Sequence, residues 1–218
     1  MSPSPSSWLS LSFALTILEA GAVIAFALSG LVAAARKRLD AVGVAVVAGL
    51  TAFGGGTVRD VLLDRRPFFW VEHAAWLWAL LALTIAAMFF MRARHLSPTL
   101  RAMQWPDAVG LGLFTANGTQ VALAQGMPAI VAVLMGMITA VFGGVLRDIV
   151  CNDIPSAFSD HRPYALCAFA GGWTLVGLQA LDGRPWLGLA GAVAVATGLR
   201  AWAMATGYEL PRWSAGRE

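Results

Sequence analysis

The chain has 218 residues, 58% of them hydrophobic and only 12% charged, with a mean hydropathy of +0.70. Soluble domains carry about 25% charged residues, so these values exclude a soluble globular protein and describe an integral membrane protein. The net charge of +3 comes from basic residues beside apolar spans, which argues against a nucleic-acid partner.

About 20 apolar residues cross the hydrocarbon core. In chain order such stretches fall near 11–35, 41–63, 72–91, 107–125, 128–151, 163–181 and 185–205. They predict an all-α membrane protein of seven transmembrane helices. The opening MSPSPSSW lacks the basic stretch of a secretory signal, so the first span is expected to stay attached. That span carries Glu19 and, further on, Ser29 and Gly30. The second contains AFGGGTVRDVLL, residues 52–63, which spends Gly54, Gly55 and Gly56 and then Arg59 and Asp60 inside an apolar run. After the third span comes RARHLSPTLRAMQW, residues 92–105, with no apolar periodicity of its own. Trp105-Pro106 reads as the start of the fourth helix, with Asp107 as an acid in its first turn, and Asn117-Gly118-Thr119-Gln120 lies deeper in it. The fifth span writes AVFGGVLRDIV, residues 140–150, with Gly143, Gly144, Arg147 and Asp148. The sixth holds Cys167, which with Cys151 reads as a small core residue, and the seventh brings the chain to residue 205.

A shift of 88 positions superposes the unusual residues without a gap. Phe26 meets Phe114, Gly30 meets Gly118, Gly55-Gly56 meets Gly143-Gly144, Arg59-Asp60 meets Arg147-Asp148, and Pro67 meets Pro155. Glu19 with Asp107, Ser29 with Asn117 and Asp64 with Asn152 are chemically similar pairs in the same register. The organisation expected is one membrane domain: repeat one at 12–91, repeat two at 107–181 and an additional helix at 185–205. Three spans per repeat is an odd number, so the second copy enters from the opposite side and the two are inverted repeats. Ten basic loop residues (Arg36, Lys37, Arg38, Arg92, Arg94, Arg101, Arg162, Arg200, Arg212 and Arg217) fall on one side of this topology against Arg65, Arg66 and Arg184 on the other. The N-terminus is therefore expected outside and the C-terminus in the cytoplasm.

Glycine lowers helix propensity by about 1 kcal/mol relative to alanine, and neighbouring glycines are a site of kinks. The glycine runs therefore read either as bends lining a cavity or as surfaces of close helix packing. A charge near mid-membrane costs about 2.5–3.5 kcal/mol on insertion scales and must meet a partner or water. Residues one apart on a helix diverge by about 100°, so Arg59 is expected to pair elsewhere than Asp60. The candidates are Arg59 with Asp148 and Arg147 with Asp60 across the axis, or the carboxylates Glu19 and Asp107. Ser29 and Asn117 supply hard oxygen ligands for a poorly hydrated monovalent cation. Trp70, Trp76, Trp105, Trp186 and Trp213 read as interfacial anchors, and His73, His95 and His161 are too irregularly spaced for a metal site. No phosphate-binding loop, catalytic triad or HExxH pattern is present, so no catalytic residue, metal or cofactor is assigned and an enzyme is not expected.

FALSG at residues 26–30, GGGTVRD at 54–60 and GGVLRD at 143–148, on seven spans in two repeats, resemble the prokaryotic branch of the trimeric intracellular cation (TRIC) channels, also labelled a putative glycine-transporter domain. The similarity covers about residues 12–205. It implies a homotrimer in the bacterial inner membrane, in contact with membrane lipids, each protomer passing potassium and sodium passively. It also implies that Gly54, Gly55, Gly56, Gly143 and Gly144 bend the second and fifth helices around that pore. The rival reading is a secondary transporter of a small zwitterion such as glycine. Family members often carry a Lys one turn beyond the fourth-helix Gly; here Thr119, Gln120 and Val121 stand there, so no voltage-sensing role follows.

Overall fold

The computed structural model describes residues 5–92, 100–159, 161–182 and 184–211. Arg94, His95, Arg212, Trp213 and Arg217 lie outside the described residues. Helix α1 spans Pro5–Arg36, α2 Ala41–Leu62, α3 Phe69–Glu72, α4 Ala75–Arg92 and α5 Leu100–Ala124. They are followed by α6 (Ala129–Val150), α7 (Ser156–Ser159), α8 (Ala165–Asp182) and α9 (Pro185–Thr206). The described residues contain no strand.

Among the described residues, four stretches are long and apolar enough to cross a membrane: Leu11–Arg36, Ala41–Leu62, Ala129–Val150 and Pro185–Thr206. Ala75–Phe89 and Ala165–Leu181 are shorter apolar helices. Helix α5 has the length, but Asp107, Thr115, Asn117, Thr119 and Gln120 make it polar; all five are buried against protein.

Helices α1, α2, α5 and α6 form the centre. Helix α9 packs on α8 and α5, whereas α4 touches α1 and α2 only lightly and leaves Trp78 and Phe89 exposed. The 88-residue register recurs in the helix ends. Helix α1 closes through Arg38 in the left-handed region, with Leu39 N donating to Ala34 O; α5 closes through Gly126, with Met127 N donating to Ala122 O. Helix α2 closes through Asp64, with Arg65 N donating to Asp60 O, and α6 through Asn152, with Asp153 N donating to Asp148 O. All four are Schellman stops, and Asp and Asn are among the residues that tolerate positive φ.

Contacts between the halves are reciprocal, as around a two-fold axis. Phe26 and Phe114, both fully buried, stack on each other with centroids 5.5 Å apart. Helices α2 and α6 cross antiparallel at glycine: a Cβ on Gly55 would run into the Thr139 carbonyl, and one on Gly143 into the Thr51 carbonyl. Within each half, a Cβ on Gly30 would sit 2.7 Å from Thr51 Oγ1, and one on Gly118 2.5 Å from Thr139 Oγ1. Both α2 and α6 run as uninterrupted helices through their glycines. Close helix approach is therefore the physical reason for glycine at these crossings.

Candidate functional site: two buried charge clusters

The Arg-Asp pairs sit in the last two turns of α2 and α6, beyond the glycine crossing. Since residue 55 lies opposite 139 and 51 opposite 143, Arg147 falls level with Val47, about 18 Å from Arg59 along the antiparallel pair. Two separate clusters result.

In the first, Arg59 is fully buried and its Nη1 stands 3.0 Å from Glu19 Oε1 of α1. Its Nε donates to Asp60 Oδ1 at 2.8 Å, and Nη1 also donates to Asn117 Oδ1 of α5. The guanidinium lies 5.3 Å from the Phe69 ring centroid. Asp60 Oδ2 accepts the backbone N–H of Phe69 at 2.8 Å, so the same carboxylate caps α3.

In the second, Arg147 Nη1 donates to Asp107 Oδ1 of α5 and Ser29 Oγ of α1, both at 2.6 Å, and Nε donates to Asp148 Oδ1 at 2.7 Å. Asp148 Oδ2 accepts the Ser156 N–H at 2.8 Å and the Ser156 hydroxyl at 2.9 Å, capping α7. Each arginine therefore takes an acid from the first helix of its own half, the adjacent Asp, and a neutral oxygen from the other half. Burying each ion costs several kcal/mol unless partners replace its water, and these two shells supply them.

Four sequence expectations are corrected. Arg59 pairs with Asp60, and Arg147 with Asp148: the long arginine side chain folds sideways near the helix end, where the carboxylate already reaches outward to cap the next short helix. The cross pairs Arg59–Asp148 and Arg147–Asp60 do not form, because the helix crossing holds them apart; Glu19 and Asp107 are the partners instead. Asp107 is no first-turn cap, since α5 begins at Leu100 and Pro106 lies inside it. Arg200, read as a loop residue, is 2% exposed within α9, where its guanidinium lies 4.8 Å from the Tyr164 ring centroid.

Sequence reasoning also missed Tyr164, whose hydroxyl donates to Asp107 Oδ2 at 2.6 Å, and Arg65, whose Nη1 lies 3.9 Å from Glu19 and 3.8 Å from Asp60. Tyr164 is one of two tyrosines in the chain, and Arg65 is the register counterpart of Asp153; both were available as signals. A hollow of about 450 Å³ opens onto the second cluster, lined by Arg36, Lys37, Asp148, Cys151, Asp153 and Ser156 among others. Lys37 and Asp153 pair across its mouth at 2.7 Å. Both cysteines are buried and free.

The profile of the family described as "Glycine transporter" matches residues 16–93 and 104–180, two segments that begin 88 positions apart. The "UPF0126 membrane protein" of Vibrio cholerae serotype O1 is 35% identical over 67% of this chain; the match spans 61% of that relative's length. The "UPF0126 inner membrane protein YadS" of Escherichia coli K12 is 35% identical over 67% of this chain and 70% of its own. A solved TRIC trimeric intracellular cation channel orthologue from Rhodobacter sphaeroides superposes with a TM-score of 0.83 at 34% identity, covering 89% of this chain and 98% of that one. The chain belongs to the prokaryotic TRIC family. In this TRIC protein the doubled glycine/Arg-Asp motif thus builds two ion-paired centres on either side of one helix crossing. Its buried charges are matched to one another by ion pairs and hydrogen bonds within each cluster.

Proposed function

We propose that this chain is a passive channel for monovalent cations, potassium and sodium, with one path in each protomer. The observation that carries the reading is the likeness to the solved cation channel, a TM-score of 0.83 over 89% of the chain. The path follows α2 and α6 between the clusters, past Ser29 and Asn117, and narrows where Gly54, Gly55 and Gly56 meet Gly143 and Gly144. All five glycines are buried, and a Cβ on Gly54 or Gly55 would meet Gly143, while Gly56 faces the Phe69 ring and Gly144 stands beside Tyr164 and Arg147; conduction therefore requires α2 and α6 to part at the Gly55–Gly143 crossing. We assign seven crossings to α1, α2, α4, α5, α6, α8 and α9, as inverted repeats at 12–91 and 107–181 with 185–205 added. The protein is read as a homotrimer among lipids of the bacterial inner membrane, N-terminus outside and C-terminus cytoplasmic, with no cofactor and no enzymatic activity.

The second reading, a carrier for a zwitterion such as glycine, is favoured by the description of the matched family. A substrate cradled by discontinuous helices needs unwound backbone, and the unbroken α2 and α6 favour the channel. Purified protein in planar bilayers decides: unitary currents in symmetric KCl support the channel. Saturable, exchange-capable glycine uptake without current steps supports the carrier.

A further inference from the structure

At one matched pair of positions, 65 and 153, the pseudo-symmetry reverses the sign of the charge. Arg65 and Asp153 both follow a Schellman stop, at the ends of α2 and α6. Asp153 turns outward to Lys37, and both side chains are substantially exposed. Arg65 turns inward: its Nη1 is buried without a hydrogen bond and faces Glu19 and Asp60, while Nη2 lies 3.6 Å from Glu72. Distances of 3.6–3.9 Å are too long for hydrogen bonds, so a diffuse Coulomb attraction holds this guanidinium. Arg59, by contrast, is locked at 2.8–3.0 Å. The first cluster thus sets two arginines, one of them loosely held, against Glu19 and Asp60.

Resting on the channel reading, we infer that Arg65 is a tethered counter-cation that occupies the place of a permeating ion beside Glu19 and Asp60, making the two ends of the path electrostatically unequal. A cation arriving at that end must displace a guanidinium or wait for it to swing out. At the other end it meets Asp148 through an open hollow. The physical chemistry is that of a charged cleft, where one sign of charge sets the local concentration of the opposite ion. Fixing or removing a single charge at the mouth therefore changes entry at one end only, and the current rectifies.

The test uses single channels of the full-length protein in planar bilayers at low ionic strength, comparing currents at equal positive and negative voltage. Wild type should rectify. Arg65→Gln and, as a second neutral variant, Arg65→Ser should bring the current ratio toward one and raise conductance several-fold from the affected side, whereas Arg65→Lys should keep the wild-type ratio. Rectification unchanged in both neutral variants overturns the inference. If wild type passes no unitary current, the channel reading fails, and a binding measurement still decides about Arg65. Replacing N-methylglucamine by Tl⁺ at constant ionic strength should raise the melting temperature of Arg65→Gln and leave wild type unmoved. A neutral variant that is destabilised and indifferent to Tl⁺ makes Arg65 a structural ion-pair residue only and overturns the inference.

Discussion

Replacing Gly55 by alanine puts a methyl group where α2 meets α6. The added carbon would lie 3.0 Å from the Thr139 carbonyl carbon, and the oxygen points toward it, nearer by up to a bond length of about 1.2 Å. Ordinary contact begins at 3.4 Å, so α2 and α6 must separate by roughly 1–1.5 Å. A backbone carbonyl in a helix cannot rotate away, so overpacking here belongs at the upper end of its usual range, about 3 kcal/mol. The better helix propensity of alanine returns about 1 kcal/mol, leaving a net loss of about 2 kcal/mol. At Gly177 of α8 nothing lies within 4 Å of the added carbon, and alanine there should be neutral or stabilising by up to about 1 kcal/mol. Thermal unfolding of purified protein followed by tryptophan fluorescence should place Gly55→Ala about 4–8 °C below wild type and Gly177→Ala at or above it. Gly143→Ala meets the Thr51 carbonyl through the same crossing. One parting of the helices relieves both clashes, so the double variant should cost less than the sum of the singles, by about 1 kcal/mol. Equal stability of Gly55→Ala and Gly177→Ala, or strictly additive costs, would refute the packing explanation.

Three further outcomes follow from the clusters and their surroundings. Arg147→Gln leaves Asp107 and Asp148 buried without their cation and should cost about 3–5 kcal/mol; adding Asp107→Asn should recover part of that loss, and denaturation of single and double variants checks it. Tyr164→Phe strips a hydrogen bond from the Asp107 carboxylate and should cost about 1–3 kcal/mol, read as a lowered unfolding midpoint with folding retained. Cys151 is 7% exposed at the end of α6. Iodoacetamide at mildly alkaline pH should label Cys151 far more slowly in folded than in denatured protein by mass spectrometry, and equal rates would contradict the burial.

The repeat was legible because its landmarks are rare residue types at one constant offset, and the helix ends repeat the same register down to Asp64 and Asn152. Eight polar residues singled out in the sequence gather into the two clusters. Their pairing was less legible. Spacing rules for helix neighbours describe directions at Cβ, and the arginine guanidinium sits several bonds further out, free to fold back on Asp60 or Asp148. The glycines were ambiguous because bends and close contacts draw on the same missing side chain; only the carbonyls of Thr51 and Thr139 reveal which need is met at Gly55 and Gly143. Tyr164 escaped notice because it stands outside the repeated motif, and Arg200 and Arg65 read only as loop charges, Arg65 because its inward turn depends on the Schellman stop before it.

The stacked rings of Phe26 and Phe114 put a residue in contact with its own counterpart. A polypeptide ending after α4 would thus carry, at this ring, the complement of its own surface, so two copies of such a half could meet there without a new contact. Drift at such a place is shared: a bulkier ring in one half must be answered by a slimmer one in its twin. Positions 65 and 153, remote from each other, escaped that bond and were free to take opposite signs.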